Sequence, residues 1–329
     1  MVQVNMKSRL LKLLEDNTEG YLSGNALAKE LSVSRNAIWK IVGSLRAEGY
    51  SISAVTNNGY RLENSGDVLS KAGITGRIKT ADVFRVEVRK TVTSTNTILR
   101  EIAAKGEPEG FVLATEEQTA GKGRMGRSFH SPAGHGVYFS LLLRPGCKAG
   151  DATLITSAAA VAAARAIEDV TGVRVGIKWV NDLFLNGKKV CGILTEAAFG
   201  MESGLVESAV LGIGINITRP EKGFPGMLED VAAALTDRST GDSGERCRLI
   251  AAVLDRFWRY YQNLPAREFL DEYRARSIIL GQDIYVLSGS GKKPARALEI
   301  DDECRLVVRY KNDEIATLDS GEVSIIVES

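Results

Sequence analysis

The sequence predicts an α+β chain of several domains: an N-terminal winged helix-turn-helix, a central mixed α/β domain and a small C-terminal β-barrel. Three observations predict it. Short amphipathic helices followed by an Asn-Gly turn occupy residues 1–65. Strand and helix patterns then alternate, and short strands at close spacing fill the C-terminal part. A length of 329 residues leaves room for two or three such units.

The first helix carries Leu10, Leu11, Leu13 and Leu14 on one side and ends between Asn17 and Gly20. Ser23-Gly24 opens a second with Leu27 and Leu31. Ser34 caps a third whose apolar face is Ile38, Ile41, Val42 and Leu45, the i, i+3, i+4, i+7 spacing. Two short helices joined by a tight turn are the helix-turn-helix plan. Opposite the apolar stripe of the third helix stand Asn36 and Lys40, with Arg35 in its first turn and Trp39 to one side. Asn, Lys and Arg read base edges or grip phosphate, so Arg35, Asn36, Trp39 and Lys40 are the candidate DNA-binding residues. A helical protein-protein module with Trp39 partly buried is the alternative. Residues 50–53 and 60–62, around Asn57-Asn58-Gly59, make a two-stranded wing. The polar stretch 64–67 marks a boundary.

In the middle, Phe84, Val86 and Val88 alternate as a strand, and 95–104 reads as a helix with Ile98, Leu99 and Ile102 on one face. An Ala-rich helix is expected over 153–170 and a strand over 173–179. A hairpin turns at Asn186-Gly187, a glycine-bearing strand covers 209–216, and two helices come next. Strands near 284–286, 295–300, 306–308, 315–316 and 323–327, with a turn at 289–291, complete the barrel.

The chemistry concentrates in residues 118–127, where Gly121, Gly123 and Gly126 are threaded with Lys122, Arg124 and Arg127 and no carboxylate. Glycine lets backbone approach a ligand closely, and the cations supply charge for carboxylate or phosphate. The composition asks for a small anionic ligand. A dinucleotide fingerprint needs a strand running into the first glycine and a helix opening at the last. Here the loop joins two strands instead, and no Gly-Lys-Ser/Thr closes a Walker loop. A flexible surface loop is the bland alternative.

Composition narrows the classes. Net charge is +1, so DNA binding must come from a local face. Cys147, Cys191, Cys247 and Cys304 are scattered without a CxxC pair, which fits a reducing compartment and no zinc site. The two histidines, His130 and His135, come without a GxSxG elbow, so a Ser-His-Asp triad is not indicated. No apolar run approaches a membrane span and no leader is recognisable, so a cytoplasmic protein is expected.

Four segments in this order resemble one family: Ser94-Thr95-Asn96, the 118–127 loop, Lys178-Trp179-Val180-Asn181-Asp182 with Lys189 beyond it, and Gly212-Ile213-Gly214-Ile215-Asn216. The chain resembles the bifunctional biotin–protein ligases that also repress biotin biosynthesis genes, over essentially its whole length. The resemblance implies a winged helix over 1–65, a ligase domain of the class II synthetase-like, biotin/lipoyl ligase type over 66–276, and an SH3-like barrel over 277–329. It implies that Ser94, Thr95, Asn96, Gln118, Lys122, Gly123, Arg124 and Lys189 bind biotin. Gly121, Arg127, Asn181, Asp182 and Asn216 would face the nucleotide, and Asp182 would hold Mg²⁺. Arg124, Lys189 and Asp182 are its implied catalytic residues, with Asp182 also a candidate to receive the acceptor amine's proton. Substrates would be ATP and biotin. Partners would be the biotin carboxyl carrier protein, operator DNA and, with biotinyl-5′-AMP as corepressor bound, a second copy of the chain.

Each segment also has a plain reading. Ser94 can simply cap the next helix, Asn181 and Asp182 can turn the chain, Lys189 can be a solvated hairpin lysine, and Gly212 and Gly214 can serve strand packing. A biotin sensor without ligase activity and a lipoyl ligase are the competing functions. Two departures stand out. Val180 occupies a position where the family usually has Pro, and Lys122 and Met125 sit where Arg is common. Glu299 and Cys304 likewise replace frequent glycines.

Overall fold

The computed structural model of the chain describes residues 6–17, 20–63, 66–80, 82–200, 204–236, 238, 244–288 and 291–325. The head contains α1 (Met6–Glu15), α2 (Gly24–Glu30), α3 (Arg35–Ala47) and the hairpin β1 (Ile52–Val55) and β2 (Gly59–Leu62). Ser23 and Ser34 accept hydrogen bonds from Ala26 N and Ala37 N, capping α2 and α3 as the sequence predicts. Leu10, Leu14, Leu27, Leu31, Ile38, Val42 and Leu45 bury their side chains together. The expected end of the first helix at 18–19 and the boundary residues 64–65 lie outside the described residues.

The head is fastened to the central domain. Ala72, on α4 (Lys71–Thr75), belongs to the head's own apolar cluster. Tyr50 and Ser70 share a 2.8 Å hydroxyl contact, and Arg77 pairs with Glu15 at 2.8 Å. Deeper, Arg246 holds Asp67 at 3.1 Å and also pairs with Glu116; Arg246 and Asp67 are both buried.

The central elements are β3 (Arg85–Val92), α5 (Thr95–Ala104), β4 (Phe111–Gln118), β5 (Gly136–Leu143), α6 (Ala152–Thr171), β6 (Gly176–Lys178), β7 (Asp182–Leu185), β8 (Lys188–Phe199), β9 (Val206–Asn216), α7 (Leu228–Val231), α8 (Glu245–Gln262) and α9 (Leu270–Ala275). Their strands form a sheet of order β3-β4-β5-β9-β8-β7-β6. Only the β3–β4 pair is parallel, and α5 makes its crossover.

Side chains alternate across this sheet. Val112, Ala114, Phe139, Leu141, Leu211 and Ile213 pack with α6 and α8 on one face. Phe111, Leu113, Leu142 and Val210 pack with Leu99 and Ala103 of α5 on the other. Helix α6 is apolar almost all round because the sheet and α8 enclose it, and Gly172 ends it in the left-handed region at φ 74°.

The expected strand over 173–179 shrinks to 176–178. The chain pairs there with the segment after α9, through Ile177 N to Arg276 O and Ile278 N to Ile177 O. The adjoining Trp179–Val180 peptide is cis.

The last elements, β10 (Asp283–Ser288), β11 (Gly291–Ile300), β12 (Leu306–Tyr310), β13 (Ile315–Leu318) and β14 (Glu322–Ile325), form one antiparallel sheet of order β13-β12-β11-β10-β14. The expected barrel is met as far as this five-stranded sheet. Strands β13 and β14 stand at opposite edges, and no closing pair joins them among the described residues. The turn at 289–290 and the end of the 323–327 strand lie outside the described residues. Cys304 takes φ +60°, a left-handed conformation that favours glycine, and its carbonyl accepts Trp179 Nε1 at 2.9 Å. Glu299 stands beside an irregularity in the β11–β12 register.

Candidate active site

Following the α5 face of the sheet along the β5–β9 register explains where the site lies. The pair Leu142–Val210 is covered by α5; the next same-face pairs are Ser140–Gly212, Tyr138–Gly214 and Gly136–Asn216. Apolar pairs give way to small and polar ones, so the helix-covered face becomes the floor of a cavity. The cavity holds about 420 Å³, within the range of small-molecule sites.

The floor glycines are dictated by close approach. A Cβ on Gly212 would overlap Asn96 Oδ1, and one on Gly214 would overlap the Phe129 ring. Phe129 also lies over Gly192 and meets Tyr138 edge-on at 6.3 Å between centroids. It is a wall residue that the sequence pattern does not reveal.

At one end, Ser94 caps α5 through Thr97 N. Thr95 N donates to Gln118 Oε1 at 2.9 Å, which fixes the glutamine amide, and Gln118 Nε2 donates to Ser131 Oγ at 2.9 Å. Asn96 Nδ2 donates to Glu196 Oε2 at 2.9 Å and to Leu194 O at 3.3 Å. Ser94, Thr95, Asn96 and Gln118 all line the cavity. The end is a built polar pocket with every amide orientation determined.

At the other end cations gather. The glycine loop folds on itself through Gly123 N to Arg127 O and Phe129 N to Gly121 O. Arg124 then donates to Asn181 Oδ1 at 3.0 Å, while Asn181 Nδ2 holds Ile193 O at 2.7 Å. Lys189 Nζ lies 2.6 Å from Asp182 Oδ1 across the β7–β8 hairpin. Asn186 and Gly187, both at positive φ, make the two-residue turn that brings these two side chains together. Burial holds the Lys178 ammonium below its ordinary range, with Asp182 and Glu322 pulling the other way.

Among the expected ligase residues, Lys122, Gly123, Arg124, Arg127, Asn181, Asp182, Lys189 and Asn216 line the same cavity as the polar end. Gly121 does not line it; its Cα faces Phe129 O, Ser131 and Gln118, where a Cβ would not fit. Arg127 is occupied by the C-terminal sheet, forming two hydrogen bonds at 2.6–2.7 Å with Glu322 and holding that carboxyl below its usual range. Asn216 is turned to Ala233 O at 3.0 Å. Lys178, Phe224, Leu228 and Val231 also line the cavity. Of these only Lys178 lay inside a legible motif. Among the described residues no group of three His, Cys, Asp or Glu is placed to hold a metal.

A second candidate surface lies on α3. Arg35, Asn36, Trp39 and Lys40 are all exposed, Trp39 at 66%. The wing beside them is fastened by the Leu22–Tyr60 bridge and by Arg61 over the Tyr21 ring at 4.8 Å.

Comparison with known proteins finds one known domain in each of these two parts of the chain. The biotin/lipoate A/B protein ligase family matches residues 88–216, and an HTH domain matches 7–61. The bifunctional ligase/repressor BirA of Bacillus subtilis is 33% identical over 97% of this chain and 98% of its own. The biotin–[acetyl-CoA-carboxylase] ligase of Mycobacterium tuberculosis is 32% identical over 68% of this chain and 82% of its own. Among solved structures, the biotin protein ligase of Aquifex aeolicus in complex with biotin and ATP aligns with a TM-score of 0.61 at 26% identity, covering 74% of this chain and 99% of that one. With a ligase cavity behind a helix-turn-helix head, the chain belongs to the bifunctional biotin–protein ligase/repressor family.

Proposed function

We propose that the protein is an ATP-dependent biotin–protein ligase and a DNA-binding repressor of biotin biosynthesis genes. The observation that carries the reading is one cavity with a fully oriented polar end and a cationic end built from Arg124 and Lys189, the latter paired with Asp182. Mere sensing of biotin would not need the second end.

Biotin's carboxylate is ionised near neutral pH, so its attack on the α-phosphorus of ATP needs no general base. It needs relief of repulsion as the P–O bond to pyrophosphate breaks. Arg124 and Lys189 supply that charge at the reacting groups, and Lys122 and Gly123 belong to the loop over biotin. Gly121, Arg127, Asn181 and Asn216 serve the nucleotide side, Gly121 by shaping the loop. Asp182 would hold a Mg²⁺ brought with ATP, since a single carboxylate suits an ion that keeps phosphate and water ligands, and the ion would add charge neutralisation at the phosphates. The product, biotinyl-5′-AMP, is a mixed anhydride that water destroys, so the loop must also exclude solvent. The amine of a carrier-protein lysine then attacks the acyl carbon, the acyl–phosphate bond breaks and AMP leaves.

We assign residues 1–65 to the DNA-binding head, 66–276 to the ligase and 277–329 to an SH3-like barrel module. We read the protein as cytoplasmic, and as a homodimer on operator DNA when the adenylate is bound. Purified protein given biotin, MgATP and the carrier domain of acetyl-CoA carboxylase is expected to release AMP and add one biotin to one carrier lysine. Tight biotin binding without AMP or pyrophosphate would make it a sensor, and preference for lipoate would make it a lipoyl ligase. Lys40→Ala is expected to weaken operator binding by about 1–3 kcal/mol with ligase turnover unchanged. Gel-shift titration beside the carrier assay checks it; an equal loss of ligation would remove the reading role.

A further inference from the structure

Tyr273 lies behind the cationic end, fully buried on α9. A packing role alone would be filled as well by Phe; the hydroxyl adds a polar group that must find an acceptor once it is buried. It donates to Val180 O at 2.9 Å. Burial pushes this phenol far above its ordinary range, so it remains a donor at any working pH. The short helix that carries it is itself held. Arg276, just past its C-terminal end, is buried between Glu272 at 2.5 Å and Glu168. Ile177 N donates to Arg276 O at 2.7 Å and Ile278 N to Ile177 O at 3.0 Å, which locks the segment after α9 onto β6. Val180, in turn, is the residue that leads into Asn181. The Asn181 amide works in two directions: Nδ2 donates to Ile193 O at 2.7 Å, and Oδ1 accepts from Arg124 at 3.0 Å. A hydroxyl in the helix, a carbonyl in the turn, an amide in the cavity wall and a guanidinium thus follow one another.

We propose that Tyr273 is a positioning residue for adenylation, holding the Val180 carbonyl so that Asn181 keeps the Arg124 guanidinium oriented before the phosphate arrives. A guanidinium is a planar fork whose fit to phosphate depends on its direction as much as on its charge. One that is fixed in advance needs no reorganisation when negative charge develops. Val180 has no ring to restrain φ within the turn, so the hydroxyl supplies a restraint from outside it. The inference rests on reading Arg124 as a cation at the reacting phosphate.

The test is a single turnover with biotin and MgATP and no carrier protein, on Tyr273→Phe, Asn181→Ala and the double variant. Each folded site then releases one pyrophosphate, so the amplitude counts folded sites while the rate constant reports the chemical step. Expected for Tyr273→Phe is a rate constant at saturation about 10-fold lower, part of the loss that follows deleting a preorganised donor outright. The half-saturating biotin concentration should stay within about 2-fold, since Tyr273 does not act on the polar end. Asn181→Ala should lose at least as much rate. On that background Tyr273→Phe should change the rate constant by less than about 2-fold, because its effect passes through the amide already removed. A lower amplitude at the parental rate constant would overturn the proposal and leave Tyr273 a packing residue. So would a loss of about 10-fold that persists on the Asn181→Ala background, or a rise in half-saturating biotin equal to the loss in rate. Asn181→Ala at the parental rate would instead remove the reading of the cationic end, and this inference with it. Because amplitude and rate constant are read separately, a variant that folds only in part still gives the answer.

Discussion

Lys189→Ala is expected to slow biotinyl-adenylate formation by about 100- to 1,000-fold, the usual cost of removing one preorganised charge from a developing anion. Lys189 sits where the β7–β8 hairpin places it, 2.6 Å from Asp182 and within the cavity that also holds Arg124 and Asn181. Its loss removes a positive charge from the reacting phosphate and leaves Asp182 with no cation at that distance. Pyrophosphate release under saturating biotin and MgATP measures it. Lys189→Arg keeps charge but changes its geometry and should recover part of the rate. Transfer from chemically supplied biotinyl-AMP should suffer less, because the phosphate bond is already made. A rate within about 3-fold of the parent would remove Lys189 from the chemistry.

Arg246→Leu is expected to destabilise the fold by about 3–5 kcal/mol, the range found when one member of a buried ion pair is deleted. Asp67 would be left buried without its guanidinium, and Glu116 would lose the same partner. Burial already pushes the Asp67 carboxyl above its ordinary range, with Arg246 opposing it. Without Arg246 that push is unopposed. A folded-state pKa raised above the unfolded one favours the fold most below the unfolded pKa, and that contribution disappears as pH rises through the folded one. The variant should therefore lose most stability near neutral pH and above, and least in mild acid. Urea unfolding at several pH values checks the sign. Adding Asp67→Asn should recover part of the loss; a flat pH dependence would mean that Asp67 is not the group left exposed to the penalty.

What could be read from the sequence was local. Serines capping α2, α3 and α5, the Asn-Gly hairpins and the period of α3 all rest on neighbours a few residues apart, and each stands where the pattern puts it. The four motif segments converge on one cavity, although nothing in their spacing states the distance between them. What could not be read was set by distant partners. Strand β4 runs through Glu116 and Glu117 to Gln118, where β3 pairs with it and Arg246, far along the chain, pairs with Glu116. The pairing of Arg127 with Glu322, at the other end of the sequence, is likewise recorded in no local pattern. Phe129 carries no motif; its place is recorded only in the glycines beneath it. Barrel closure likewise depends on edges that no local pattern specifies.

The fastening of the head has a mechanical meaning. A head that lends its apolar cluster to Ala72 and whose connecting segment is pinned by Arg246 does not swing like a weight on a string. It should tumble with the ligase as one particle, and its reading helix should keep a constant offset from the cavity. In the homodimer proposed above, the ligase body itself would then set the spacing of two such helices along a DNA duplex, and changes far from any base would retune which sites fit.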